Sequence, residues 1–203
     1  MTVEPTTGPS LYYIGIIMKL RALAAAIVCV VSGHAQAATV DVALSDESAR
    51  FALSSFVGGF SEGRTLMNTS LFYNTENDSV VSAGLHMIDV VGSKTPGLQI
   101  GVGFQAYYSH LTDHDGLALA LGGIISYRAP QLKRVNFVIH GHHAPSITSY
   151  MDSDRLSEYG FAIEYSLLPQ ADVYIGYRKF DIDDQSRSLE LDDNGHIGLR
   201  ITF

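Results

Sequence analysis

Residues 98–108, LQIGVGFQAYY, alternate between apolar and small or polar side chains at every position. One set is Leu98, Ile100, Val102, Phe104, Ala106 and Tyr108, and the other is Gln99, Gly101, Gly103, Gln105 and Tyr107. This period of two predicts a β-strand with one apolar face, because an amphipathic helix would repeat every ~3.6 residues. The eleven residues also match the length of a tilted strand that crosses a bilayer.

The same alternation recurs along the chain and gives about ten candidate strands. They are residues 40–45, 49–57, 66–74, 81–87, 98–108, 117–127, 135–140, 158–165, 172–178 and 197–203. Merging or discarding the first two leaves eight. No stretch has the roughly 18 consecutive apolar residues of a transmembrane helix, so a membrane protein of this sequence would cross as strands.

The connections between these segments alternate in length and charge. The longer or more charged ones are 74–79, 109–116, 144–154 and 183–194, and the shorter or proline-containing ones are 92–97, 128–134 and 168–170. Outer-membrane barrels alternate in this way between long extracellular loops and short periplasmic turns. The pattern predicts that 183–194 lies outside and that 168–170 and Phe203 lie on the periplasmic side.

A soluble β-sandwich would also show half-polar strands at regular spacing. Here, however, the polar faces are rich in Gly, Ala and Gln, and aromatic residues lie near strand ends, where an interfacial belt is expected. Those aromatic residues are Tyr73, Tyr107, Tyr108, Tyr127, Tyr165 and Phe203. The sequence therefore favours an antiparallel transmembrane β-barrel of eight to ten strands over the sandwich.

The N-terminal segment has the pattern of an export signal. After Met18 come Lys19 and Arg21, an apolar run at 22–31 and the small-residue site Ala35-Gln36-Ala37. The run is too short for a membrane-spanning helix, which disfavours an N-terminal anchor. We expect translation to start at Met18 and cleavage to follow Ala37, so that 1–37 is an extension plus signal peptide and 38–203 is the barrel.

Cleavage would leave 166 residues with 11 Lys and Arg against 20 Asp and Glu, a net charge of −9. This acidity argues against nucleic acid as a partner. Cleavage would also remove Cys29, the only cysteine, so the mature chain could not use a disulfide.

The start VDVALSDESARF and the end GHIGLRITF, with the signal peptide and the alternating strands, resemble the YfaZ family of small bacterial outer-membrane proteins. The resemblance implies an outer-membrane barrel without established catalytic residues. The end of the chain, with Ile197, Leu199, Ile201 and Phe203 at alternate positions, also looks like the signal that the barrel-assembly machinery reads.

Five charged residues are expected to face the lumen. The strand phases place Glu158 and Glu164 inward, Arg178 and Arg200 on the following strands, and Asp41 beside Arg200 where the barrel closes. One interpretation is a lumen filled by salt bridges, as in other small barrels. The other is a charged constriction in a narrow pore.

His140 and His142 share the lumen face and are candidate metal ligands, but zinc requires three or four ligands. His86 could be a third, yet it lies three strands away. The sequence thus predicts no metal site and no cofactor.

One polar connection contains residue types found in hydrolase sites. Ser109, His110, Asp113, His114 and Asp115 could form a catalytic group, although these are also common turn residues. The acidic groups at 152–154, 181–184 and 190–193 are expected to be solvated loop tips that could bridge cations to lipopolysaccharide phosphates.

The sequence therefore predicts a small outer-membrane protein, structural or narrow and porin-like, with no catalytic activity. Its expected partners are outer-membrane lipid, lipopolysaccharide and, during insertion, the barrel-assembly machinery. The alternative is adhesion or ligand recognition through 144–154 and 183–194, and a barrel enzyme is the least favoured function.

Overall fold

The computed structural model describes residues 38–60, 63–91, 95–111, 115–151, 154–183 and 188–203, which belong to one compact unit. The expected N-terminal extension and signal peptide lie outside the described residues, and so do Asp113 and His114. Among the helices that are described, none has the length and apolar character needed to span a membrane.

The described chain is almost entirely strand, as the period of two predicts. The strands are β1 (Ala38–Leu44), β2 (Ser48–Phe60), β3 (Gly63–Asn74), β4 (Ser79–Val90), β5 (Leu98–His110), β6 (Asp115–Tyr127), β7 (Val135–Ala144), β8 (Ser149–Met151), β9 (Arg155–Leu168), β10 (Ala171–Asp183) and β11 (Ser188–Thr202). A 3₁₀ turn, Ser146–Thr148, precedes β8. All ten expected strand segments are present, including the first two, so the eight-strand alternative is wrong.

Ten of these strands form a closed antiparallel barrel within the described residues. Each long strand pairs with the next, and β11 pairs with β1 to close the sheet. The short β8 is an addition to the barrel: it pairs with Gly116–Ala118 of β6, beyond the part of β6 that pairs with β7. A closed sheet has no unpaired edge, which is what a strand protein in hydrocarbon requires.

The pairing register gives the tilt of the strands. Following paired residues once around the barrel, from Asp115 through Ile197, returns to β6 at Tyr127, an offset of 12 residues. At ~3.3 Å per residue this offset is about 40 Å, whereas ten strands spaced by ~4.8 Å give a girth of about 48 Å. The two lengths correspond to a tilt of about 40°, which is usual for closed barrels.

Side chains alternate between an apolar outer face and a lumen. Val102, Ile175 and Ile197 are each more than 60% exposed on the outer face, the side that would contact lipid. Tyr108 also faces outward near a strand end, as a belt residue would. The expectation for Tyr107 is wrong: it is 2% exposed and faces the lumen, since neighbouring strand residues point to opposite sides.

The two ends of the barrel differ. The end that contains Ala38 and Thr202 carries short connections such as 128–134 and 169–170, and we call it the turn end. The opposite end, the loop end, contains an apolar cluster inside the lumen, which we call the apolar plug. The plug consists of Phe72, Val80, Tyr107, Leu111, Ala118, Ala120, Ala144, Leu156, Phe180, Ile182 and Leu191.

The expected loop at 183–194 is mostly strand, because β10 continues to Asp183 and β11 begins at Ser188. A β-bulge interrupts this hairpin: Phe180 pairs with Asp192, and the next pair is Asp181 with Glu190. The extra residue, Leu191, changes the phase, so that Leu191 and Asp192 both face the interior.

Candidate functional site: the lumen

Arg200 is the centre of a charged group near the turn end. Its Nε lies 2.9 Å from Asp41 Oδ2 across the β1–β11 pair, and its Nη1 contacts Glu164 Oε1. Tyr174 donates its hydroxyl to Asp41 Oδ1 at 2.6 Å, and Asn136 Nδ2 donates to Glu164 Oε2 at 2.8 Å. Three of the five sequence-predicted lumen charges therefore lie together, with two carboxylates around one guanidinium.

Glu158, the fourth predicted residue, has a partner that the sequence analysis missed. Arg50 Nη1 lies 3.0 Å from Glu158 Oε1, and Tyr107 donates its hydroxyl to Oε2 at 2.6 Å. The Glu158 side chain is 5% exposed, so these contacts replace its water. The alternation of 49–57, which places Phe51 outward, is the signal that identifies Arg50 as a lumen residue.

Arg178, the fifth predicted residue, forms its ion pair with neither Glu158 nor Glu164. It pairs with Asp192, with 2.6 Å between Nε and Oδ2, and both side chains are almost completely buried. The Ser48 hydroxyl accepts from Arg178 at 3.1 Å and donates to Asp192 at 3.2 Å. The expectation that Asp192 lies at a solvated loop tip is wrong, because β11 extends beyond it and the period of two places it on the same inward face as His196 and Arg200.

Access of water to these groups decreases towards the loop end. The exposed fraction of the side chain falls from 32% at Arg200 to 20% at Arg50 and 2% at Arg178. Beyond Arg178 the apolar plug follows, with the rings of Phe72 and Phe180 5.7 Å apart. The described side chains thus leave the lumen wet at the turn end and close it at the loop end.

The histidines lie closer together than the sequence analysis expected. His86 Nε2 and His142 Nε2 are 2.8 Å apart, so one imidazole donates to the other across the lumen. Along the sheet these two residues are three strands apart, but the lumen is narrow enough for their side chains to meet across it. His140 Nε2 instead lies 4.0 Å from Glu158. The described residues contain no group of three or more His, Cys, Asp or Glu side chains that could hold a metal ion.

The candidate catalytic connection does not form a nucleophile–base pair among its described members. Ser109 and His110 are neighbours on β5 and therefore point to opposite faces. Ser109 is buried and donates to the carbonyl of Gly116 at 3.4 Å, while His110 Nδ1 lies 2.6 Å from Asp115 at the surface.

Several lumen rings lie flat against glycines on the neighbouring strand. A methyl group at Gly198 would overlap the ring of Tyr174, and one at Gly176 would lie 2.7 Å from His196 Nε2. The lumen is filled so closely at these positions that only glycine fits.

We expect Gly198→Ala to lower the free energy of unfolding by about 1–3 kcal/mol, the usual cost of overpacking. The added methyl would displace Tyr174 from its hydrogen bond to Asp41. Denaturant titration of the refolded barrel in micelles measures the loss. Gly195→Ala is the matched control, because the nearest atom to its new methyl group would be 3.8 Å away. Equal stability of the two variants would contradict the packing argument.

A surface cluster lies at the loop end, beyond the apolar outer face of β10 and β11. Lys179 Nζ is 2.6 Å from Glu190 and 2.8 Å from Asp193, and Tyr177 donates its hydroxyl to Asp193. With Asp181 nearby, the cluster carries more negative than positive charge.

A closed antiparallel barrel with an apolar outer face and a polar lumen defines the class of membrane-spanning β-barrels. Within that class, the chain belongs to the YfaZ precursor family, whose model matches residues 17–203. This match confirms the resemblance inferred from the two ends of the sequence. No curated protein matches the chain at a significant level.

Solved structures similar to the chain are porins and an outer-membrane channel. The KdgM porin in complex with disordered oligogalacturonate has 11% sequence identity and a TM-score of 0.46, with 82% of this chain and 99% of that chain covered. A second KdgM porin structure has 11% identity, a TM-score of 0.44 and the same coverage. The outer-membrane channel DcaP of Acinetobacter baumannii has 10% identity and a TM-score of 0.42, with 80% of this chain and 54% of that chain covered.

Proposed function

We propose that the chain is a small outer-membrane barrel with a structural role, whose lumen is closed to solutes in its resting state. The observation that carries the proposal is the burial of the Arg178–Asp192 pair beneath the apolar plug. An open pore would hydrate these side chains from the loop end. We further propose that the protein catalyses no reaction, since the side chains of Ser109 and His110 point to opposite faces of β5 and do not form a nucleophile–base pair.

The proposed orientation places the loop end at the cell surface and the turn end in the periplasm. The unequal lengths of the connections support this assignment. The signal sequence that ends at Ala37 would provide export, and residues 38–203 would form the mature barrel.

Charge supports the same orientation and the proposed partners. The loop end carries Asp181, Glu190 and Asp193 around Lys179, an excess of negative charge, so contact with lipopolysaccharide phosphates there would require added divalent cations as bridges. The excess of acidic residues also disfavours nucleic acid. During insertion the partner would be the barrel-assembly machinery, through the C-terminal strand.

Planar-bilayer recording tests the closed lumen. We expect no steady current through the wild-type barrel, because the plug excludes water. Replacing both plug rings, Phe72→Ala with Phe180→Ala, is expected to produce discrete channel currents. Val102→Ala, a truncation on the outer face, is the control and should stay silent. Steady currents through wild-type protein would contradict the closed state and favour the narrow pore, with Arg200 and its two carboxylates as the selective constriction.

Recognition at the cell surface is a second candidate function, favoured by the segment 144–154. Ile147 is 82% exposed at the loop end, and Tyr150 and Met151 are each about 60% exposed. Apolar side chains at a rim suit contact with another surface. If the double variant Ile147→Ser with Tyr150→Ser still binds the surface, the segment 144–154 is not the recognition surface.

A further inference from the structure

An apolar groove of about 700 Å³ crosses the outer face of β9, β10, β11 and β1. Its walls include Val42, Ile163, Val173, Ile175, Ile197 and Leu199, and Gly198 and Tyr174 lie at its floor. The depression lies between the outward side chains of neighbouring strands, above the backbone of Gly198, because a side chain at Gly198 would point into the lumen towards Tyr174 and not into the groove. Its volume is in the range of pockets that hold small ligands.

The composition of the groove restricts what can fill it. Its lining contains almost no polar surface, so an occupant gains by burying hydrocarbon rather than by hydrogen bonding. On a barrel in a bilayer, an acyl chain is the apolar molecule that surrounds this face.

The turn next to one end of the groove is basic. Arg128, Lys133 and Arg134 lie in the connection 128–134, which contains no acidic residue. All three are exposed, and they form no ion pair with any part of the chain that the structure describes.

Backbone contacts fix this turn beside the groove. The carbonyl of Arg134 accepts from Ser166 N at 2.8 Å, and the next residue, Val135, pairs with Tyr165. Tyr165 itself lines the groove. The basic side chains therefore begin where the apolar lining ends, and an aromatic residue stands at the boundary, as at a membrane interface.

We propose that this groove and the adjacent basic turn bind one glycerophospholipid, with an acyl chain in the groove and its phosphate at Lys133 and Arg134. The site rests on the membrane setting of the proposed function. Position favours a phospholipid over lipid A, because the basic turn lies at the turn end, whereas lipid A would lie at the opposite, loop end. A second copy of the chain is a less suitable occupant of the groove, because it would have to place an anionic group at Lys133 and Arg134.

Native mass spectrometry of the refolded barrel in nonionic detergent, titrated with phosphatidylglycerol, tests the site. We expect one lipid to remain bound, and Lys133→Gln with Arg134→Gln to weaken its affinity about tenfold or more. Arg64→Gln is the matched charge control, because Arg64 lies at the turn end of β3, away from the groove. Ile175→Trp fills the groove and should also release the lipid, whereas Val102→Trp, at an equally exposed position on β5, should not.

Two further measurements identify the chemistry and the source of the lipid. Dioleoylglycerol, which lacks the phosphate, should bind weakly, and barrel extracted directly from outer membranes should retain a phospholipid and not lipid A. Retention of lipid A, or equal binding by the Lys133/Arg134 variant and the wild type, would overturn the assignment. Dimers that exclude lipid would overturn it in favour of a second copy. Protein that stays folded and monomeric without detergent would instead refute the membrane setting itself.

Discussion

Arg178→Met is expected to lower the free energy of unfolding of the barrel by about 3–5 kcal/mol. The substitution leaves the Asp192 carboxylate buried, with the Ser48 hydroxyl and the Asn194 amide as its remaining hydrogen-bond partners among the described residues. Two charges that leave water together compensate each other, but one charge left alone does not. Guanidinium titration in micelles, followed by heat-modifiable gel migration, measures the loss.

The double variant Arg178→Met with Asp192→Leu distinguishes the cost of an unpaired buried charge from the cost of altered packing. Because it removes both charges, it should recover most of the lost stability. Arg155→Met is the surface control: its pair with Asp183 is 3.7 Å long and mostly exposed, so the expected change is ~0–1 kcal/mol. A single variant as stable as the wild type would mean that the buried pair does not stabilise the closed loop end.

The alternation of side chains was sufficient to predict the barrel. In a membrane barrel every strand must present an apolar outer face, so the period of two persists even where the strand is short, as in β1. The closing pair Asp41–Arg200 was also predictable, because the first and last strands of a barrel are neighbours and both residues face inward.

Contacts across the lumen were less predictable, since strand order gives neighbours along the sheet and not through it. The contact of His86 with His142 and the pairing of Arg50 with Glu158 both cross the lumen. Asp192 was missed for a different reason: it lies on the same face of β11 as Arg200, but the polar stretch 183–194 was interpreted as a loop, so the alternation was not extended back to Asp192.

The lumen combines these two kinds of contact. Near the turn end, Arg200 connects the closing strands through Asp41 on the neighbouring strand β1 and through Glu164 on β9, two strands away. Towards the loop end, Arg50 and Arg178 connect the early strand β2 and its first residue, Ser48, with the late strands β9, β10 and β11. Several of these contacts therefore connect strands that are not neighbours in the sheet, which supports a structural role more than a permeation path.

Phe203→Ala is expected to reduce the folded protein in the outer membrane several-fold while leaving the stability of the refolded barrel nearly unchanged. The Phe203 ring is 73% exposed, and the contact that fixes this residue is a backbone hydrogen bond from its N–H to the Ala38 carbonyl at 2.8 Å. Removing an exposed ring changes stability by ~0.5 kcal/mol or less.

If Phe203→Ala lowers the outer-membrane level in cells but not the stability of the refolded barrel, the effect reflects recognition by the assembly machinery and not folding. Membrane fractionation and refolding into micelles, performed on the same variants, separate the two. Phe203→Tyr keeps the terminal aromatic group and should restore the membrane level. Ile201→Ala and Leu199→Ala should reduce it in the same way as Phe203→Ala, because they lie on the same face of β11. Normal outer-membrane levels of Phe203→Ala, or an equal loss in refolding, would show that the C-terminal pattern is not a signal and serves only the closing pair of strands.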